Sequence, residues 1–376
     1  MRKIRCVIMR GGTSKAVVLH EQDLPSDPDE RKDVILNIFG SPDIRQIDGL
    51  GGADPLTSKC AVIGPSRVDD ADINYTFYQV GIDKPMVAEG MCGNISTVCG
   101  PFAIDEGLVT AVEPVTEVRI YNTRFKKILY AEVPIKDGKV ATEGNFKVDG
   151  VPGTGAKILL DWRNIFGVIR GTILPTGNTK DKIHVEGVGD LTVSIVDAGV
   201  PIVFVHAEAL SLKGIESANE IDSDDNLLNK LETIRGAAAE YLNLIDDWRK
   251  SREESPVGPF LAFVNQPMEY VTFSGETIKA EDVDFVSRLM FMQQLHKTYP
   301  GSGSLCTGIA ARIEGTIVNE VASETIKKDG KVRIGHPGGV IETESIVRKE
   351  GEQYIIERSR IGRTARRIME GYVYLK

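Results

Sequence analysis

The sequence lacks the patterns that the common metal and nucleotide chemistries require. Its five cysteines (Cys6, Cys60, Cys92, Cys99 and Cys306) include no CxxC pair, and its five histidines form neither an HxH nor an HExxH cluster. No metal site is expected from such spacing. An odd cysteine count in a 376-residue chain also argues against a disulfide framework. There is no GxxxxGK[ST] loop and no GxGxxG after a strand. Gly153-Thr154-Gly155-Ala156-Lys157 has only a GxGxK spacing, so nucleotide binding has no support. Basic charge is in deficit, with 45 Lys and Arg against 54 Asp and Glu and a net charge of −9. That balance excludes the basic footprint of a nucleic-acid partner. It leaves a small anionic substrate open, because a few local donors outweigh a distant net charge. Long hydrophobic runs are missing too. After Arg2, Lys3 and Arg5 the apolar stretch is only Cys6 to Met9 and ends at Arg10, short of the roughly 7–15 residues of a secretory core. No stretch approaches the ~18–20 residues that span a bilayer. The chain reads as cytoplasmic, with no membrane partner.

What is present is an ordinary globular composition, 41% hydrophobic and 26% charged. The length exceeds the size at which one hydrophobic core stops growing, so two domains are expected. A weak internal repeat supports them. Val7-Ile8-Met9-Arg10-Gly11-Gly12-Thr13-Ser14-Lys15-Ala16-Val17-Val18-Leu19-His20 reads as strand, turn, strand, and Ile195-Val196-Asp197-Ala198-Gly199-Val200-Pro201-Ile202-Val203-Phe204-Val205-His206 reads the same way. His20 and His206 match, as do Leu24 and Leu210. Further on, Gly93/Gly301, Gly100/Gly308, Ala103/Ala311, Glu106/Glu314 and Gly107/Gly315 match at one common offset. Val118-Arg119-Ile120 and Val332-Arg333-Ile334 then open a strand in each copy.

Each copy follows one plan. The paired strands lead to an amphipathic helix, whose apolar face is Val34, Ile35, Ile38 and Phe39 in the first copy. In the second it is Leu227, Leu228, Leu231, Ile234, Ala238 and Tyr241. Strands such as Lys59–Ile63 and Phe260–Val264 follow. A Gly-rich turn then enters a short helix that is apolar almost all round and must be enclosed. The expected fold is α/β: two pseudo-symmetric domains, each a curled sheet or barrel around one central helix. The join is placed in the turn cluster Gly177–Asp181, giving domains 1–180 and 181–357. Residues 358–376 are read as a strand returning to the first domain. The acidic stretch Glu220–Asp225 reads as a loop and cap.

Two Gly-rich turns carry the chemistry. A helix N-terminus offers unpaired N–H donors and the positive end of its dipole, and glycine admits close approach. Gly93, Asn94 and Ser96 in one copy, and Ser302, Gly303 and Ser304 in the other, are therefore candidate anion seats. Facing each other across an interdomain cleft, they would grip two carboxylates. Close helix–sheet packing is the alternative use of these glycines. Cys92 stands where a thiol can exchange protons near neutral pH, and its alternative is a small buried hydrophobe. Its counterpart is Pro300, so no symmetric thiol pair exists. Lys59, after the loop Gly49–Ser58 and at the start of an apolar strand, is a candidate base if desolvation lowers its pKa. A solvent-pointing lysine is the alternative. The polar turn Arg10–Lys15, with Thr13 and Ser14, could contact a carboxylate. His336, in a turn, could bind or shuttle protons, and a structural or exposed histidine is the alternative.

Several segments together resemble one family, the 2-methylaconitate isomerases and methylitaconate Δ-isomerases, related to 4-oxalomesaconate tautomerase. They are Met9–Lys15, Gly49–Lys59, Met91-Cys92-Gly93-Asn94, Pro175-Thr176-Gly177-Asn178, His296-Lys297, Gly335-His336-Pro337 and Arg363–Tyr374. The resemblance covers nearly the whole chain. It implies a diaminopimelate-epimerase-like fold, Lys59 as the principal proton-transfer residue through its Thr-Ser-Lys motif, and substrate contacts at Ser14 and the Cys-Gly-Asn turn. Met91 and Val200 stand where relatives often carry Asn, which leaves the particular acid undecided. The expected activity is a cofactor-independent isomerisation of a small unsaturated di- or tricarboxylic acid, by proton or double-bond shift or by cis–trans change. Lys59, Cys92 and Ser14 would be catalytic. A keto–enol tautomerase, an amino-acid epimerase and a non-catalytic ligand-binding accessory to a dehydratase are the alternatives. Homo-oligomerisation is left open.

Overall fold

The structure, a computed structural model, describes residues 2–327 and 330–376. Apart from bridges and helices of a few residues, the chain runs β1 (Lys3–Gly11), β2 (Ser14–His20), α1 (Pro28–Phe39), β3 (Lys59–Pro65), β4 (Ile73–Val80), β5 (Val87–Gly90), α2 (Gly93–Asp105), β6 (Val115–Asn122), β7 (Lys127–Lys136) and β8 (Ile158–Asp161). It continues β9 (Asp181–Val185), β10 (Gly189–Asp197), β11 (Pro201–His206), α3 (Ala218–Asp222), α4 (Asp225–Tyr241), β12 (Phe260–Asn265), β13 (Phe285–Phe291), α5 (Gly301–Arg312), α6 (Ile317–Val321), β14 (Lys331–His336), β15 (Gly339–Glu350), β16 (Gln353–Arg363) and β17 (Ala365–Tyr374). The residues form two compact units, 1–161 with 362–376, and 162–361. Residues 162–180 thus pack with the second unit. The Gly167 and Asp197 amides bond the Asp197 and Ile173 carbonyls and tie this segment to the end of β10.

In the first unit β17 pairs antiparallel with β1, β1 with β2, β2 parallel with β3, β3 antiparallel with β4, β4 parallel with β6, and β6 and β8 antiparallel with β7. In the second, β9 pairs with β10, β10 with β11, β11 parallel with β12, β12 antiparallel with β13, β13 parallel with β14, then β14–β15 and β15–β16 antiparallel. The two paths are the same. The first unit takes its opening strand from the end of the chain, where the second takes it from the strand before its hairpin.

Each curled sheet wraps a helix that is buried on every side. All residues of α2 from Gly93 to Ile104 are buried, and all of α5 from Gly301 to Ala311. The matched glycines let helix and sheet touch. A Cβ at Gly100 would stand 2.6 Å from Val133 Cγ2, and one at Gly308 2.4 Å from Thr343 Oγ1. The outer face of each sheet is covered by the amphipathic helix. Ile35, Ile38 and Phe39 of α1 pack on Val17, Leu19, Cys60 and Val62. Leu231, Ile234 and Ala238 of α4 pack on Ile195, Val203, Leu261 and Phe263. Asp27 caps α1 and Gly40, at φ 70°, closes it, while Asp224 caps α4.

Three local readings need correction. The Gly-rich stretches are not turns before the central helices but their first turns, since α2 starts at Gly93 and α5 at Gly301. Glu220–Asp225 is not all loop, because the short helix α3, begun by a Ser217 capping box, runs into it as far as Asp222. Tyr241 is 45% exposed rather than on the buried face of α4, with its hydroxyl on Asp181 Oδ1 at 3.3 Å.

Candidate active site

Strand alternation decides which side chains of β3 and β4 meet the central helix. Cys60, Val62, Tyr78 and Val80 join the core under α1, so Lys59, Phe77 and Gln79 face the other way. Lys59 is 3% exposed, and its Nζ donates to Gln79 Oε1 at 2.7 Å. The register pairs the two residues directly. Gln79 is itself fixed, with Nε2 donating to the carbonyls of Pro55 and Ser58 at 3.1 and 3.2 Å. The Phe77 ring lies 5.4 Å from the amine. Burial pulls the Lys59 pKa below the usual lysine value, while the charges of Cys92 and then Asp54 act in the opposite direction. This is a lysine moved toward proton exchange by desolvation, with the Cys92 thiol close enough to act on its charge.

The start of α2 holds the other candidates. Cys92 is its half-buried N-cap, with no side-chain cap on the first amides. Asn94 donates through Nδ2 to Thr13 Oγ1 at 3.0 Å and to Ser14 Oγ at 3.4 Å. The turn between β1 and β2 lies so close that a Cβ on Gly11 would meet the Asn94 carbonyl at 2.3 Å, and one on Gly12, at φ +50°, the Asn94 amide oxygen at 2.2 Å. Both glycines are therefore required there. Ser96 turns its hydroxyl back to the Cys92 carbonyl at 2.9 Å. Lys59, Cys92, Ser14, Thr13, Gly93, Asn94 and Ser96 thus belong to one unit, around one helix start.

Sequence reasoning gave no role to two residues here. Gln79 stands out in hindsight as a polar residue in a wholly buried strand, Ile73–Val80. Arg363 lies inside the segment that carried the family likeness, but nothing local marks it. It is 4% exposed, its Nε donates to Asn94 Oδ1 at 3.1 Å, and burial pulls its pKa down to about 9, opposed by the charge of Cys92. Arg10 donates to the carbonyls of Gly12 and Thr364 and holds the turn to the chain's last segment.

In the second unit Ser302 and Ser304 are buried in the first turn of α5, beside Gly303. Ser304 Oγ donates to the Gly301 carbonyl at 2.8 Å, and the N-cap Pro300 offers no side-chain cap. The place of Lys59 is filled differently. Ile202 pairs with Phe260 as Ala16 pairs with Lys59, at the offset that relates His206 to His20. Phe260 packs edge-on against Phe291 with ring centroids 5.4 Å apart. His336 is buried and its Nδ1 accepts the Gly338 N–H at 3.1 Å. Among the described residues no group of three His, Cys, Asp or Glu is placed to hold a metal, and no helix is long and apolar enough to cross a membrane.

Two units of the same path around enclosed helices, with a desolvated lysine and a thiol beside one helix start, mark the racemase and epimerase fold class. A probable proline racemase from Agrobacterium radiobacter shares that fold, with a TM-score of 0.58 at 14% identity over 99% of this chain and 93% of its own. The chain belongs to the PrpF protein family, whose model matches residues 1–376. It is 53% identical over 376 residues to a 3-methylitaconate isomerase of Eubacterium barkeri, covering 100% of this chain and 97% of the relative. A 2-methyl-aconitate isomerase of Shewanella oneidensis is 38% identical, with 99% and 96% covered. The crystal structure of a methylitaconate-delta-isomerase superposes with a TM-score of 0.83 at 52% identity, covering 100% of this chain and 96% of that one.

Proposed function

We propose that this isomerase moves the double bond of a small unsaturated dicarboxylate of the methylitaconate type, with Lys59 as the base. The buried Lys59–Gln79 pair carries the reading. A neutral amine can remove the proton on a carbon that is flanked by a carboxylate and by the carbon–carbon double bond. The electrons pass into the double bond, and the negative charge spreads over the neighbouring carboxylate. N–H groups of Gly93 and Asn94 at the start of α2 stabilise that charge where it develops, and the Arg363 guanidinium steadies Asn94. The lysine ammonium returns a proton to the terminal methylene carbon, which becomes a methyl group. One proton leaves and one returns, so the product is an isomer and no redox partner enters the balance. Cys92 is a second proton donor, and Ser14 and Thr13 hold the substrate with Ser96; Ser302, Gly303 and Ser304 form the matching anion seat of the second unit.

The unequal units favour a double-bond shift over epimerisation. Inverting a stereocentre uses an acid and a base on opposite faces, whereas a shift along one face can use a single amine. Phe260 at the place of Lys59 and Pro300 at the place of Cys92 leave the second unit without either group. The similarity to the 3-methylitaconate isomerase, higher than to the methyl-aconitate isomerase, favours the itaconate-type substrate.

Proton NMR in heavy water, with methylitaconate, methylaconitate, aconitate and oxalomesaconate as substrates, tests the reading. Methylitaconate is expected to isomerise fastest, with deuterium entering the new methyl group. Lys59→Ala is expected to lose at least about a thousandfold in turnover, an upper-range general-base contribution, while Cys92→Ser retains part of it. Near wild-type turnover of folded Lys59→Ala removes lysine from the mechanism. Preference for methylaconitate moves the substrate assignment to the tricarboxylates.

A further inference from the structure

The second unit contains a cavity of about 480 Å³ that the isomerase chemistry does not use. Alternation along β13 locates it. Ser287 bonds to Tyr299, which bonds to Thr307 of α5, so Ser287 lies on the inner face of the sheet. Met290 belongs to the core under α4, and Arg288 shares its outer face. Arg288 lines the cavity together with residues of the 215–222 segment, the 271–273 turn, Lys297 and Pro337. Lys297 and Pro337 come from two of the segments that carried the family likeness.

Arg288 is 1% exposed. Its Nε donates to the Glu216 carbonyl at 2.6 Å and its Nη1 to the Ser287 and Gly335 carbonyls at 3.0 and 3.5 Å. Its Nη2 donates to none of the described residues, and it has no ion pair with any of them. The Tyr270 ring lies 5.2 Å from the guanidinium carbon. A buried cation with no carboxylate in direct contact is costly, and the charges of Glu216 and Glu220 act in the opposite direction to its burial. The carbonyl bonds explain how Arg288 pins the 213–217 loop, but they leave one nitrogen of the fork unused beside an open volume.

The walls state what could fill that volume. Val271 and Phe273 are 64% and 61% exposed, large apolar side chains at the rim, and Ile215 and Pro337 add apolar surface. The carboxylates that also line the cavity are engaged: Glu216 accepts the Lys213 and Gly214 amides, and Asp222 accepts the Leu295 amide at 2.8 Å. Their charges oppose a polyanion. We propose that this cavity binds a small organic monocarboxylate, with its carboxylate on Arg288 and its apolar body against Val271, Phe273 and Pro337. Its volume lies in the range of small-molecule sites. The site is lined wholly by residues of the second unit, whereas Lys59 belongs to the first, and it selects a different charge.

Fluorine NMR titration of the full chain with fluorobenzoate tests this, with fluorobenzyl alcohol as the neutral control. Saturable binding of the acid alone is expected, undisturbed by excess itaconate. Arg288→Met is expected to weaken it about tenfold or more, the loss of a charged hydrogen bond. Ala218→Trp, which fills the cavity from its wall and leaves the guanidinium in the chain, is expected to do the same while isomerase turnover stays at the wild-type level. If Arg288→Met does not fold, Ala218→Trp decides the matter. Absence of saturable binding, equal binding of the alcohol, displacement by itaconate, or unchanged affinity in Ala218→Trp overturns the proposal.

Discussion

Burying Lys59 works against the stability of the fold. Desolvation lowers its native pKa below 10.5, so in the window between the two values the unfolded chain holds more protons than the native one. Wild-type stability therefore falls as pH falls through that window. Lys59→Met carries no such proton. Its melting temperature relative to wild type is expected to rise as pH is lowered from about 10 to about 7, starting from the reference lysine value, although Gln79 Oε1 loses its donor. Calorimetric melts across this range check it, and a constant difference would mean that the amine is not desolvated. A stabilised but inactive variant is what a residue held for chemistry should give.

Between elements, close approaches and buried charges can be tested by single substitutions. Gly308→Ala would push a methyl group into the Thr343 and Ser345 hydroxyls, at 2.4 and 2.5 Å. An overpacking cost of about 1–3 kcal/mol is expected from urea denaturation. Gly100→Ala, against Val133 at 2.6 Å, is expected to cost as much and also to lower turnover, because α2 carries Cys92 and Asn94. Glu106, at the end of α2, bonds Arg5 of β1, His20 of β2 and Arg367 of β17. Despite partial burial, these partners hold its pKa at about 2, against 4.5. The resulting stability is fully present above pH 4.5 and is lost as pH falls through about 2. Glu106→Gln is expected to cost about 2–3 kcal/mol at neutral pH, with the gap to wild type closing in acid. A gap unchanged at about pH 2, below the reference carboxylate value, contradicts the ionic account.

Across the whole molecule, duplication is written more deeply than the repeat in the sequence. In the first unit Asp72 accepts both the amide and the side chain of Arg119, and the Asp72 amide donates to the Arg119 carbonyl. Asp284 and Arg333 repeat every one of these bonds in the second. The copies diverge at one strand pair, with Lys59 and Gln79 on one side and Phe260 and Phe291 on the other.

The repeat, the enclosed apolar helices and the outer amphipathic helices were legible in the sequence because each rests on local period and on glycine at matched positions. Lys59 was legible as a candidate by its place after a Gly loop. Its partner was not, because Gln79 reaches it only through strand register, which pairs residues 20 apart in the chain. Arg363 and Arg288 were hidden for the same reason. A guanidinium becomes a buried charge only when distant segments close over it: Asn94 lies 269 residues from Arg363, and Glu216 lies 72 from Arg288. The sequence by itself determined the periods and the turns. The tertiary structure alone decided which polar side chains lost their water, because desolvation acts only once distant segments close over a charge, and it moves the pKa values of Lys59, Arg288 and Arg363 down.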